Sequence, residues 1–90
     1  MFAALSHGSR RHILLVLHFR AGRMTAGEIA SRFSCSWPTT TRHLGVLLRA
    51  GLVRVERRGR ERIYVVDRKL LRRTVGAWLS WFGRGAVREP

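Results

Sequence analysis

Two helix-start signals follow one another closely in this chain, and a strand pattern comes directly after them. Thr25-Ala26-Gly27-Glu28 has the form of a capping box. In that motif the threonine hydroxyl accepts from the Glu28 backbone N–H, and the glutamate carboxylate accepts from the Thr25 N–H. Ile29, Ala30 and Phe33 then fall at the spacing of an inward helical face. Ser34 and Cys35 read as a turn and Ser36 as the next cap. Pro38 is tolerated because N–H groups of a first helical turn lack partners anyway. Leu44, Leu47 and Leu48 give this second helix one core face, and Gly51 closes it after Ala50. A short helix, a tight turn and a second helix restrict the chain to a small set of mainly helical folds.

The flanking segments add to this unit. Ser9 to Phe19 sets Ile13, Leu14 and Leu17 at helical spacing after a short apolar start, Phe2 to Leu5, and a break at Ser6 to Ser9. Ala21-Gly22-Arg23 ends that helix, glycine suiting a left-handed terminus. Leu52 to Glu56 alternates, with Val53 and Val55 opposite Arg54 and Glu56, and Ile63 to Val66 is a second β-branched run. Gly59 lies in the basic turn between them, which predicts a hairpin. Asp67 caps a last helix in which Leu71, Val75, Trp78 and Phe82 share a face. Ninety residues are one domain, placed at 1–82, with 83–90 expected to be a flexible basic tail.

Charge narrows the partner. Eighteen Lys and Arg oppose five Asp and Glu, giving a net charge of +13, and Lys69 is the single lysine. A compact domain of this balance points to a polyanion, nucleic acid foremost, and arginine's planar fork suits phosphate or a guanine edge. A merely solvated basic face is the alternative on charge alone. No apolar run approaches the roughly 20 residues that cross a bilayer. The N-terminus lacks the pattern of a secretion signal, and one cysteine forms no internal disulfide, so the cytoplasm is the expected compartment.

The second helix of the pair is the candidate reader of double-stranded DNA. Ser36, Trp37, Thr39, Thr40, Arg42 and His43 are expected to face outward, away from Leu44, Leu47 and Leu48. Threonine can meet a thymine methyl and arginine can pair bidentately with guanine in the major groove. The alternative is an ordinary amphipathic surface helix. In the hairpin, Arg57, Arg58, Arg60 and Arg62, with Arg54 nearby, are candidates for the backbone or the minor groove. Edge protection also uses charge, though so many arginines around one tip exceed its needs.

These parts are those of a winged helix-turn-helix, and the sequence resembles the ArsR-type repressors. The resemblance rests on Ala4-Leu5, Arg10 to Leu14, Thr25 to Ala30, Ser36-Trp37-Pro38-Thr39-Thr40-Thr41-Arg42-His43-Leu44, Ala50-Gly51-Leu52-Val53 and Gly59 to Tyr64. It implies a dimeric repressor of an inverted-repeat operator, pairing through its first and last helices. His7-Gly8 stands where the family usually has Asp-Pro, and Trp37 where glutamine is common.

Metal sensing at the family's sites is not expected. The helix before the reader carries no Cys-x-Cys, the last helix has no histidine, and no two of His7, His12, His18 and His43 are spaced i, i+4. No cofactor is implied, and the role of Cys35 stays open. Phe2, Leu5, Leu71, Val75, Trp78 and Phe82 form more apolar surface than so small a core covers, which points to a homodimer. Internal packing of those aromatics is the alternative. An enzyme lacks residue supply: no paired carboxylates, no Ser-His-Asp set and no phosphate-cradling loop are present. A winged-helix module binding protein or structured RNA is the competing functional reading.

Overall fold

The computed structural model describes residues 1–33 and 36–85. In chain order the elements are α1 (Phe2–Leu5), α2 (Gly8–Phe19), β1 (Arg23–Thr25), α3 (Ala26–Arg32), α4 (Trp37–Arg49), β2 (Val53–Arg58), β3 (Glu61–Val66) and α5 (Arg68–Gly85). The fold is mainly helical with a β wing, as the resemblance implies. The expected turn at Ser34-Cys35 and the tail at 86–90 lie outside the described residues. α5 itself continues through Gly83 to Gly85, past the expected end at 82.

Local chemistry sets the element boundaries. Thr25 Oγ1 accepts from Glu28 N at 3.1 Å, and the Glu28 carboxylate accepts from Thr25 N at 2.8 Å, completing the capping box of α3. Ser36 caps α4 by accepting from Thr39 N. At the other end of α4, Gly51 has φ +80, its N–H donates to Leu48 O, and Leu52 N–H donates to Leu47 O. That is a Schellman ending, and it seats Leu52 against Leu47, both without solvent exposure.

The sheet holds one strand more than the sequence pattern predicts. Its order is β1-β3-β2, antiparallel throughout, with Met24 opposite Tyr64 on one side of β3 and Val55 opposite Tyr64 on the other. The hairpin turns at Gly59 and Arg60, with positive φ at Gly59 alone of the two, the pattern of a glycine-first two-residue turn. The core gathers Ile13, Leu14 and Leu17 of α2, Ile29 of α3 and Leu44 and Leu47 of α4. Met24, Leu52, Val53, Tyr64 and Val66 close it from the sheet side.

The end of α2 has the left-handed glycine expected of it and one left-handed residue more. Gly22 is left-handed, at φ +88, and its N–H donates to Leu17 O at 2.8 Å, while Ala21 before it is left-handed too, at φ +62. A Cβ in that region costs about 1–2 kcal/mol, while glycine loses roughly 0.5–1 kcal/mol in chain entropy. Ala21→Gly is therefore expected to raise unfolding stability by about 0.5–1 kcal/mol in denaturant titration. A lower midpoint in the variant contradicts this account of the turn.

Candidate nucleic-acid interface

α4 is fixed by its inward stripe. Thr40, His43, Leu44 and Leu47 recur at i, i+3, i+4 and i+7, and all four are buried. Thr40 and His43 thus depart from the outward placement expected of them. Thr40 is 2% exposed and its hydroxyl donates to Ser36 O at 3.1 Å, while His43 is 5% exposed. The stripe is legible in the spacing, but the polarity of both residues masks it. The residues of α4 left to solvent are Trp37, Pro38, Thr41 and Arg42 in its first half and Arg49 in its last turn, with Ser36 exposed at the cap and Thr39 half-buried. Thr41, one helical turn beyond Trp37, is the outward residue that the sequence reading left out.

His43 sits in a cationic junction. The guanidinium of Arg10 donates to its Nδ1 at 3.4 Å, and the ring of His7 lies 4.5 Å away, centroid to centroid. Arg10 also donates to the carbonyls of Ala4 and Ala3, and Arg11 donates to that of Leu5. These arginines satisfy the open carbonyl end of α1. Burial first, then the charges of His7, Arg10 and Arg42, hold the His43 pKa below its ordinary value.

The wing carries a different electrostatic arrangement. Arg57, Arg58, Arg60 and Arg62 are all exposed, and none takes part in an ion pair among the described residues. Arg57 lies directly opposite Arg62 across the ladder. Like charges facing across strands destabilise a sheet. Glu56, within β2, is engaged by Arg23 from β1 and by Arg54 at 3.8 Å, and the acid of the tip is Glu61, which lies opposite Arg58 and joins no ion pair among the described residues. The wing thus sets four arginines against one acid, Glu61, and the exposed face at the start of α4 adds Arg42, an excess of positive charge of the kind that attracts phosphate.

The aromatic residues of the two chain ends stand apart from this surface. Phe2 packs on Trp78 with centroids 5.8 Å apart, and Trp78 on Phe82 at 4.9 Å, yet all three remain 49–59% exposed. Leu5, Leu71 and Val75 are half-buried. Among the described residues, no group of three or more His, Cys, Asp or Glu side chains is placed to hold a metal ion. Cys35 lies outside those residues.

Residues 5–56 match the Helix-turn-helix domain family. The chain is 33% identical over 85 residues to the transcriptional repressor SdpR of Bacillus subtilis (strain 168), spanning 94% of this chain and 92% of that protein. This chain belongs to the ArsR-type winged helix-turn-helix family. Among solved structures, an ArsR family transcriptional regulator superimposes with TM-score 0.81 at 27% identity, over 99% of this chain and 89% of that one. An ArsR-like transcriptional regulator from Rhodococcus sp. RHA1 gives TM-score 0.77 at 32% identity, over 97% and 79% of the two chains. The ArsR-type chain described here is a DNA-binding transcriptional regulator, and its family is one of regulators rather than of enzymes.

The His43 junction makes the stability of this ArsR-type regulator depend on acid. A histidine whose folded pKa is lowered binds its proton more readily in the unfolded chain, so its contribution is intact above the ordinary value of 6.5 and is lost as pH falls below it. Denaturation midpoints are expected to drop from neutral pH to below 6.5, and less steeply in His43→Gln. Equal slopes in the two proteins remove the junction as the cause.

Proposed function

We propose that the chain is a repressor that binds an inverted-repeat operator as a homodimer, reading bases with α4 and holding the backbone with its wing. The observation that carries the reading is the facing pair Arg57 and Arg62, whose mutual repulsion a phosphate lying along the wing relieves. On the reader, Ser36, Trp37, Thr39, Thr41 and Arg42 are the residues assigned to the major groove. Arg42 addresses a guanine edge and Trp37 offers apolar contact to a thymine methyl. Arg57, Arg58, Arg60 and Arg62 are assigned to the backbone and minor groove. Thr40 and His43 are assigned to holding α4 in place instead.

Pairing is supported by the half-exposed stack of Phe2, Trp78 and Phe82 together with Trp81, which is 73% exposed. A two-fold axis through these ends sets the two reader helices about one helical turn, roughly 34–36 Å, apart on DNA. The domain is assigned to residues 1–85, through the end of α5, with the remainder as a tail. Residence in the cytoplasm, and the absence of catalytic activity, belong to the same reading. Among the described residues no helix is long and apolar enough to cross a membrane.

Binding of promoter fragments by purified protein, followed by fluorescence anisotropy over a salt series, tests the proposal. Arg42→Ala is expected to weaken binding to the preferred fragment by about 1–3 kcal/mol and to unrelated duplex much less. Arg58→Ala and Arg60→Ala are each expected to weaken binding to all sequences and to lower the salt slope by about one. Equal loss of Arg42→Ala on both kinds of duplex removes its base-reading role. A protein that binds structured RNA and ignores duplex DNA at low salt overturns the operator reading.

Sedimentation tests the pairing independently. Trp78→Asp places a carboxylate in the aromatic face and is expected to convert a dimer into a monomer that retains its helical spectrum. A dimer that survives the substitution relocates the interface.

A further inference from the structure

Three of the four histidines accept a hydrogen bond at Nδ1 from a group that can only donate. His7 accepts from the Ser9 N–H at 3.2 Å, His43 from the Arg10 guanidinium at 3.4 Å, and His18 from Arg68 Nε at 2.9 Å. Each ring is therefore held neutral with its proton on Nε2, and a proton added at Nδ1 sets donor against donor. Two of these rings meet beneath the reader helix. His43 is on the buried side of α4, and the ring of His7, at the cap of α2, packs against it.

No acid among the described residues answers a charge at this junction. The charges acting on His43 are those of His7, Arg10 and Arg42. On α2, Arg11 is bound to Leu5 O and His12 packs on Phe33, which leaves Arg10 as the member that meets the ring. α3 and β2 also pack on α4, the first with Glu28 and Arg32, the second with Arg54, Glu56, Arg57 and Arg58. Glu28 is committed to Thr25 and Arg20, and Glu56 to Arg23 and Arg54. Arg10 itself cannot retreat freely, because it also donates to Ala4 O at 2.8 Å and to Ala3 O at 3.3 Å. An imidazolium at position 43 thus faces a tethered cation and has no carboxylate to meet. It reaches water by displacement of its own helix, and Thr41 and Arg42 move with it.

We propose, on the operator reading of α4, that acid releases this regulator from its operator, because a proton taken up at the His7–His43 junction unseats α4 from α2. Burial and the surrounding charges favour the neutral ring while α4 is seated, so a displaced helix binds the proton more readily and acid favours displacement. Apparent affinity for the operator falls with the seated fraction. Charge alone has the opposite sign, since protonating histidines adds to the +13 of the chain and strengthens binding to every duplex alike.

Fluorescence anisotropy with the preferred promoter fragment and with an unrelated duplex, at fixed salt and at about pH 7.5 and about pH 5.5, tests the switch. The ratio of the two affinities is expected to fall about tenfold on acidification, the effect of one lost charge-assisted hydrogen bond, in a chain that keeps its helical spectrum. His43→Gln, which keeps an acceptor for Arg10 but does not titrate, is expected to hold the ratio constant. His18→Gln, at the other end of α2, is expected to lose it as the wild-type chain does. A wild-type ratio that stays constant or rises overturns the proposal, as does a His43→Gln chain that still responds or a His18→Gln chain that does not.

Long-range nitrogen–proton spectra of the imidazoles in the free wild-type protein provide a second measurement that needs neither variant nor DNA. The Nε2–H tautomer is expected for His43 at neutral pH, with backbone amides of α4 shifting as the ring takes up its proton. An Nδ1–H tautomer, or α4 amides indifferent to that titration, overturns the switch. A chain that prefers no fragment at neutral pH removes the operator reading instead, and the spectra then decide the acid response by themselves.

Discussion

Self-repulsion is the constraint that the rest of this molecule is arranged around. With eighteen cations and five acids in ninety residues, most positive side chains cannot have an acidic partner. The fold places several of them where a backbone carbonyl substitutes. Arg10 and Arg11 close the end of α1, and Arg68 reaches the carbonyl of His18 near the end of α2. Carbonyl ends of helices carry partial negative charge, so these contacts are favourable without a carboxylate. Three of the five acids are engaged elsewhere. Glu28 holds the capping box, with Arg20 3.5 Å away, and Glu56 holds Arg23 across the sheet. Asp67 caps α5 by accepting from Leu70 N. What remains in excess is the wing tip, where four arginines face Glu61, and Arg42 at the front of α4, and that remainder is the surface proposed to meet nucleic acid.

The same accounting separates the arginines by role, which their number alone could not do. A basic chain of this size is often read as uniformly adhesive towards nucleic acid. Here Arg10, Arg11, Arg20, Arg23 and Arg68 have partners within the fold, whereas Arg57, Arg58, Arg60 and Arg62 have no ion-pair partner among the described residues. Position in the fold, not charge, distinguishes the two groups.

Much of this was legible in the sequence, and what was legible depends on short range. The capping box at Thr25, the Ser36 cap with Pro38, the Gly51 ending and the Gly59 hairpin are each specified by a few adjacent residues. β1 was not legible. Its three residues are too few to display alternation, and its partners Ile63 to Val65 lie far along the chain. Thr40 and His43 were misplaced for another reason. Their spacing matches the inward stripe, but polar side chains read as outward unless their internal partners are known. Those partners are Ser36 O for Thr40 and Arg10 for His43, the latter contributed by a different helix. At the end of α2 the glycine was recognised, yet the left-handed duty is shared with Ala21.

His43 also joins the two halves of the molecule that the proposed function needs. Its ring is on the buried side of α4, immediately after Arg42 on the reading face. Arg10, which donates to it, simultaneously holds the carbonyls of Ala3 and Ala4 in α1. α1 in turn carries Phe2, which packs on Trp78 of α5. A single guanidinium therefore ties the aromatic ends of the chain to the back of the reader helix. Contacts thus run without a break from the proposed pairing surface, through α1 and Arg10, to the buried side of α4.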